Sequence, residues 1–118
     1  MIQGFEDYTH ELTKEEISLA LVMKIAFMNH HNNVSNTVAA SRIVAWAKAR
    51  FNIKITGPRI RKIIHYLRVT HEMPIVGTNS GYYQATNREE VRKYLVGLKQ
   101  RIDSQVEIYE IMQIISNK

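Results

Sequence analysis

The chain has 118 residues, of which 45% are hydrophobic, so it is long enough for one domain with a single core and short for two. It contains no cysteine, which excludes disulfides, thiolate zinc sites, iron–sulfur clusters and cysteine nucleophiles. The first ten residues lack the basic and apolar regions of a signal peptide, and no apolar run approaches the roughly 18 residues that a membrane span requires. We therefore expect a soluble, intracellular protein without a membrane partner.

The formal net charge of +5 is distributed unevenly along the chain. No Asp or Glu occurs from Ile17 to His71, and this acid-free block contains only basic charged residues. Such a block attracts polyanions, of which nucleic acid is the commonest. The alternative interpretation is a solvated basic surface that binds no ligand. The cations of the block are Lys24, Arg42, Lys48, Arg50, Lys54, Arg59, Arg61, Lys62 and Arg68.

Two helices are predicted in the first half of the chain. Thr13 followed by Glu16 indicates a capping box and a first helix from about Lys14 to Asn29. Apolar residues surround this helix almost completely, so we expect it to be covered on more than one side. A second helix is predicted over residues 38–51, with Asn52 able to end it in the left-handed conformation.

The third predicted helix begins at Gly57 and Pro58, because Pro at the first helical position loses no hydrogen bond, and Thr56 or Gly57 is its expected N-cap. Apolar residues at i, i+3, i+4 and i+7 define one buried stripe. No acid is available for i,i+4 pairs, so we expect this helix to show its cations to solvent. The stripe contains Ile60, Ile63, Ile64 and Leu67, and the cations are Arg59, Arg61, Lys62 and Arg68.

A β-hairpin pattern follows the third helix. Residues 75–76 favour a strand, and residues 79–81 have turn composition. We expect Tyr83 to face the core and Tyr82 the other side, although a shift of one residue would exchange the two. With Ser80 and Gly81 as the central pair of the turn, the predicted partners are Thr78 with Tyr83 and Val76 with Ala85.

The last segment predicts a long helix that begins at Thr86 or Asn87, with two acids favourably placed in its first turn. An apolar stripe resembles a heptad for about two turns, and a second apolar line follows it. We expect the helix both to cover the first helix and to form a homodimer with a second copy, and the alternative is that it seats a partner protein. The stripe contains Leu95, Leu98, Ile102, Val106 and Tyr109, and the second line contains Ile108, Ile111, Met112 and Ile115.

The order of these elements predicts an α+β, mostly α fold. It is that of a winged helix-turn-helix with a three-helix core, a small β-hairpin wing and a long C-terminal helix. Residues 34–38 are expected to form a short strand that pairs with the hairpin. We expect a single domain over 1–118, with a core at about 13–102 and a helical extension at about 103–116.

The segment "GPRIRKIIHYLR" followed by "GTNSGYYQATNREEVRKYLVGLKQRI" resembles a group of small phage and prophage winged-helix proteins. These carry an Arg-rich helix, a wing with Gly-Tyr-Tyr and a closing helix rich in Glu, Tyr, Leu and Arg. The close similarity covers about residues 37–102, and the chain departs from the group at Ala39-Ala40, where Ser or Thr is the more usual cap. The resemblance implies sequence-specific binding of double-stranded DNA in replication, excision or transcriptional control, in the cytoplasm of a bacterium or phage-infected cell.

On this interpretation the helix at about 58–70 enters the major groove and the hairpin at about 75–85 lies on the DNA backbone. Arg61 and Lys62 are the expected base readers; an Arg fork contacts guanine O6 and N7 together. Further contacts are expected from Thr56, Arg59, His65 and Arg68 near the third helix, from Thr78, Asn79, Ser80 and Tyr82 at the wing, and from Lys48, Arg50 and Lys54 at flanking phosphates.

Neither catalysis nor a cofactor is expected. His30-His31 has no nearby Cys, Asp or Glu to complete a metal site, and the chain contains no nucleophile elbow or phosphate-binding loop. The alternative function is a winged-helix protein-interaction module, a replication or transcription accessory without DNA binding.

Overall fold

A computed structural model describes residues 11–118. Within these residues the fold is α+β and mostly helical, with a two-stranded antiparallel hairpin and a long C-terminal helix. The elements are α1 (Lys14–His30), α2 (Ala40–Phe51), α3 (Gly57–Val69), β1 (Ile75–Thr78), β2 (Gly81–Gln84) and α4 (Arg88–Ser116). None of the helices described has the length and apolar character needed to cross a membrane.

The chain divides into two compact units, one ending at Thr86 and the other running from Asn87 to Lys118. The division falls at the N-cap of α4, so that the second unit is essentially one helix.

Helix α1 begins at the predicted capping box. The amide of Glu16 donates to Thr13 Oγ1 over 3.1 Å, and the amide of Thr13 donates to Glu16 Oε1 over 2.9 Å. Only one side of the helix is buried, so the prediction of cover on more than one side is not met within residues 11–86. The buried side carries Leu19, Ala20, Met23 and Phe27, whereas Leu21, Val22, Ile25 and Met28 are exposed.

Helix α2 starts at Ala40, two residues after the expected start at 38. Ala39 occupies the N-cap and makes no side-chain capping bond, because its methyl group has no acceptor. The C-cap is Asn52 with φ 54°, as predicted.

Helix α3 carries the centre of the core. Thr56 is its N-cap and accepts a hydrogen bond from the amide of Arg59 at 3.4 Å. The predicted stripe is confirmed, since its four residues are each at most 1% exposed. Around it pack the buried side of α1 and further residues from α2, the loops and the hairpin: Val38, Ile43, Ala47, Ile55, Met73 and Ile75.

The hairpin has a different register from the predicted one. Val76 pairs with Tyr83 and Thr78 with Gly81, so that Asn79 and Ser80 form the turn. Gly81 follows the turn with φ 133°, a conformation that favours glycine. The predicted partner of Tyr83 was Thr78, which is two residues from the observed partner Val76. A shift of two residues leaves each side chain on the same face of the hairpin. Tyr83 is accordingly buried as predicted, and Tyr82 is half-buried.

The segment before α2 pairs with the hairpin at one residue. Val38 and Tyr82 exchange two backbone hydrogen bonds of 2.8 Å in an isolated antiparallel bridge. The predicted strand over 34–38 is therefore wrong except at its last residue. Asn33 to Asn36 form a turn instead, closed by a bond from the Asn36 amide to the Asn33 carbonyl.

Helix α4 runs without interruption for 29 residues. Asn87 is its N-cap and accepts from the amide of Glu90 at 2.9 Å, which confirms one of the two expected caps. Every residue of α4 is described, and none is buried.

Candidate nucleic-acid interface

A surface depression lies between α3 and the hairpin. Arg61, His65 and Arg68 of α3 line it together with Ile64 and with Tyr82 of β2. The spacing i, i+4, i+7 places the three basic residues along one line of the helix surface. One row of basic side chains on α3 and one tyrosine of the hairpin thus line the same depression.

Arg68 connects α3 to the hairpin. It is half-buried, and its Nε donates to the carbonyl of Ile75 over 3.0 Å. A Cβ at Gly77 would lie 3.8 Å from Arg68 Nη2 and 3.7 Å from the Tyr82 ring, so both side chains pack against β1 at this glycine. This arrangement fixes the hairpin beside α3 and places Arg68 at the edge of the depression.

Lys62 lies on the other side of His65. A second depression is lined by Lys62, His65 and Tyr66 together with Leu12 and Ile17 from the α1 region. His65 borders both depressions and is exposed, as is Arg61, whereas Lys62 is half-buried. Arg61 and Lys62, the two predicted base readers, therefore lie on opposite sides of His65 and line different depressions.

Arg59 does not face solvent, and the prediction that α3 shows all four cations is wrong at this residue. Arg59 is 9% exposed. Its Nε donates to Glu16 Oε2 over 2.8 Å, its Nη2 donates to Glu16 Oε1 over 2.5 Å, and Nη2 also donates to the Glu11 carbonyl over 2.9 Å. Residues two apart on a helix point about 200° apart, so Arg59 lies across α3 from Arg61. Its guanidinium is hydrogen-bonded to Glu16 of α1 and is not part of the candidate interface.

The ion pair changes the acidity of Glu16. The hydrogen bond from Arg59 lowers the pKa of Glu16, and the amide of Thr13 lowers it further, while burial acts in the opposite direction. The net effect is a lowered pKa, so Glu16 is held ionised beside the arginine.

Hydrogen bonds within the turn order the hairpin tip. Thr78 Oγ1 donates to the Gly81 carbonyl over 2.9 Å and accepts from the amide of Ser80 over 3.1 Å. Thr37 Oγ1 donates to the Ser80 carbonyl over 3.4 Å. The three predicted contact residues of the tip, Thr78, Asn79 and Ser80, are all exposed. The Thr78 hydroxyl already shapes the turn, which leaves Asn79 and Ser80 as the outward-facing polar residues.

The remaining predicted contacts lie away from the depression. Lys48 and Arg50 are exposed in the last turn of α2, and Lys48 Nζ donates to Asn52 Oδ1 over 2.9 Å. Lys54 and Thr56 line a separate pocket near the N-terminus of α3, together with the Glu16–Arg59 pair. These four residues are therefore not brought into one group with Arg61 and His65.

The charge around the depression is positive, because the acid-free block extends through all of α2 and α3. The nearest acid before the block in the sequence is Glu16, whose charge is matched by Arg59, and Glu11 lines the second depression with Lys62 and His65. Of the other cations in the block, Arg42, Lys48, Arg50, Lys54 and Arg61 are exposed, while Lys24, Lys62 and Arg68 are half-buried.

Two residues that shape this surface were not identified from the sequence. The capping box already accounted for Glu16, so nothing in the pattern indicated its second role as the partner of Arg59. Gly77 follows two strand-forming residues, and nothing in the sequence around it predicts that Arg68 and Tyr82 pack beside it.

No family model, curated protein or solved structure matches the chain.

Proposed function

We propose that this protein is a winged helix-turn-helix that binds double-stranded DNA, with α3 as the recognition helix and the hairpin as the wing. The observation that carries the proposal is the depression in which Arg61, His65 and Arg68 of α3 meet Tyr82 of the hairpin. A positive helix beside an ordered hairpin matches the two surfaces with which such folds contact a groove and the adjacent backbone.

In this proposal Arg61 is the main base reader. It is exposed on the line of α3 that faces away from the core, and its planar fork matches guanine O6 and N7. His65 is its neighbour one turn along, and Lys62 reaches phosphate or a base edge on the far side of His65. Arg68 positions the wing, and its own contact with DNA is at the phosphate backbone.

Tip residues Asn79 and Ser80, together with Tyr82, contact phosphates or the minor groove in this arrangement. Lys48, Arg50 and Lys54 add flanking phosphate contacts. Arg59 is left out of the DNA-contacting set, because its guanidinium is buried against Glu16. The role in replication, excision or transcriptional control remains an expectation carried by the resemblance to phage and prophage proteins.

The test is a fluorescence-anisotropy titration of random duplex DNA with the full chain at two salt concentrations. About six phosphate contacts lower the affinity by about 10³-fold between roughly 50 and 200 mM salt. Arg61→Ala combined with Lys62→Ala should weaken binding to the random duplex and lower its salt dependence, because two cations are removed from α3. The melting temperature should stay nearly unchanged, since neither side chain lies on the buried stripe of α3.

The matched control removes a cation outside the acid-free block. Lys118→Ala deletes one exposed positive charge from the end of the chain and should leave affinity nearly unchanged. If Arg61→Ala and Lys118→Ala reduce binding equally, the proposal that α3 contacts the DNA fails. Absence of salt-sensitive binding by the unmodified protein would overturn DNA binding altogether.

A protein-docking module is the second candidate, and one observation favours it. Leu21, Ile25 and Met28 repeat at i, i+4 and i+7 on α1, and they are 46%, 60% and 50% exposed. An exposed apolar line of this kind is typical of an interaction surface. Apolar docking is nearly insensitive to the salt that weakens DNA binding, so the titration separates the two functions.

A further inference from the structure

Helix α4 carries an exposed apolar stripe along most of its length. At 100° per residue, Val91, Leu95, Leu98, Ile102, Val106 and Tyr109 fall within about 80° of one another. Leu95, Ile102, Val106 and Tyr109 are between 46% and 65% exposed. A stripe with spacings of three and four residues is the seam by which helices pair side by side.

The charges of α4 are divided along the helix. Between Val91 and Ser116 the first half contains only cations, Arg92, Lys93, Lys99 and Arg101, and the second half contains only acids, Asp103, Glu107 and Glu110. A helix with one basic and one acidic half is complementary to a reversed copy of itself. A parallel, in-register copy would place like charges side by side.

The charged residues nearest the stripe are arranged on one edge. Arg92, Lys99, Asp103 and Glu110 lie within about 40° of one another around the helix. Lys99 and Asp103 already form an exposed ion pair of 2.7 Å within the helix, which places both at this edge.

We propose that α4 pairs with α4 of a second copy of this chain in an antiparallel arrangement centred near residue 101. In this register Leu98 of one copy packs against Ile102 of the other, and Val91 packs against Tyr109. Arg92 lies opposite Glu110, and Lys99 lies opposite Asp103. The pairing places the basic half of each helix beside the acidic half of the other.

The opposite edge of the stripe carries Arg101, which this register places opposite Arg101 of the other copy. Arg101 lies there with its guanidinium 5.6 Å from the centroid of the Tyr94 ring. Val96 lies on the far side of the helix, about 120° from the stripe centre, and takes no part in the pairing.

The first test is mass by light scattering with the full chain in the absence of DNA, so its outcome is separate from that of the DNA titration. We expect twice the 13.7 kDa of one chain. Ile102→Asp should yield the single-chain mass, because it places a charge in the seam. The control Val96→Asp adds the same charge to the far side and should leave the dimer intact.

The absence of native cysteine allows the direction to be tested by crosslinking. Neither Val91→Cys nor Tyr109→Cys alone should crosslink to itself on oxidation, whereas an equal mixture of the two should, because an antiparallel pair places 91 beside 109. Gln100→Cys, near the centre but on the far side of the helix, is the control and should not crosslink.

The charge argument has its own test. Replacing Arg92 and Lys99 by Glu should weaken the dimer, and adding Asp103→Lys and Glu110→Lys to the same chain should restore it. A single-chain mass for the unmodified protein at all concentrations overturns the proposal, as does a mass above two chains. Crosslinking of Tyr109→Cys alone, without gain in the mixture, would indicate a parallel pair and overturn the antiparallel register.

Discussion

The carboxylate of Glu16 and the guanidinium of Arg59 form a buried ion pair that joins the first turn of α1 to the first turn of α3. Both side chains are about one tenth exposed. The carboxylate also accepts a hydrogen bond from the amide of Thr13 in the capping box of α1. One residue therefore caps the start of α1 and binds the start of α3. The position of the proposed recognition helix therefore depends on an acid outside it.

Removing one partner of this pair should destabilise the fold strongly. Glu16→Gln leaves the Arg59 cation buried without its counter-charge, and we expect a loss of about 3–5 kcal/mol in the free energy of unfolding. Combining Glu16→Leu with Arg59→Met should recover much of that loss, since the buried charges are then both removed. Urea unfolding of the single and double variants measures both effects. Equal stability of Glu16→Gln and the unmodified protein would contradict the importance of the pair.

Acid should weaken this contact in a defined direction. Arg59 lowers the pKa of Glu16 in the folded state, so the stabilisation is fully present above the unfolded-state pKa of about 4.3 and is lost as pH falls through the lower folded-state value. Melting temperatures of the unmodified protein and Glu16→Gln, measured from neutral to acidic pH, should converge as Glu16 becomes protonated. A constant difference across that range would show that the charge of Glu16 is not the cause.

Gly81 should tolerate no side chain. Its φ is 133°, and a Cβ would lie 2.5 Å from the carbonyl carbon and oxygen of Val38. Gly81→Ala should cost more than about 1 kcal/mol in the free energy of unfolding and break the bridge between Val38 and Tyr82. Gly57→Ala is the control, because a Cβ there meets nothing within 4 Å. We expect that control to be neutral or slightly stabilising, and amide exchange at Val38 and Tyr82 would report the bridge directly.

A charge on the buried side of α3 should unfold the first unit. Ile64 is 1% exposed, so Ile64→Asp buries an unpaired carboxylate, whereas Val69 on the same helix is 65% exposed and Val69→Asp should be nearly neutral. Circular dichroism and solubility of the two variants test the phase of the helix. A folded, soluble Ile64→Asp protein would mean that the stripe does not form the core.

Local sequence patterns determined most of the secondary structure. The capping box at Thr13, the Gly57-Pro58 start, the stripe on α3 and the cap at Asn87 each involve residues within one or two helical turns, so their chemistry acts whatever the rest of the chain does. The hairpin was also evident, because strand-forming residues flank a turn. The choice between Asn79-Ser80 and Ser80-Gly81 as its central pair depended on the backbone conformation of Gly81 and on its close approach to Val38.

Tertiary structure decided which cations are available at the surface. The periodicity of α3 placed Arg59 and Arg61 on opposite flanks of the stripe, but it did not indicate which flank packs against α1. Glu16 lies 43 residues from Arg59 in the chain, and only the packing of α1 on α3 brings the two together. The same packing leaves Arg61 and His65 beside Tyr82. Composition and spacing thus predicted a basic helix, and contacts between distant segments selected the residues of that helix that face outward.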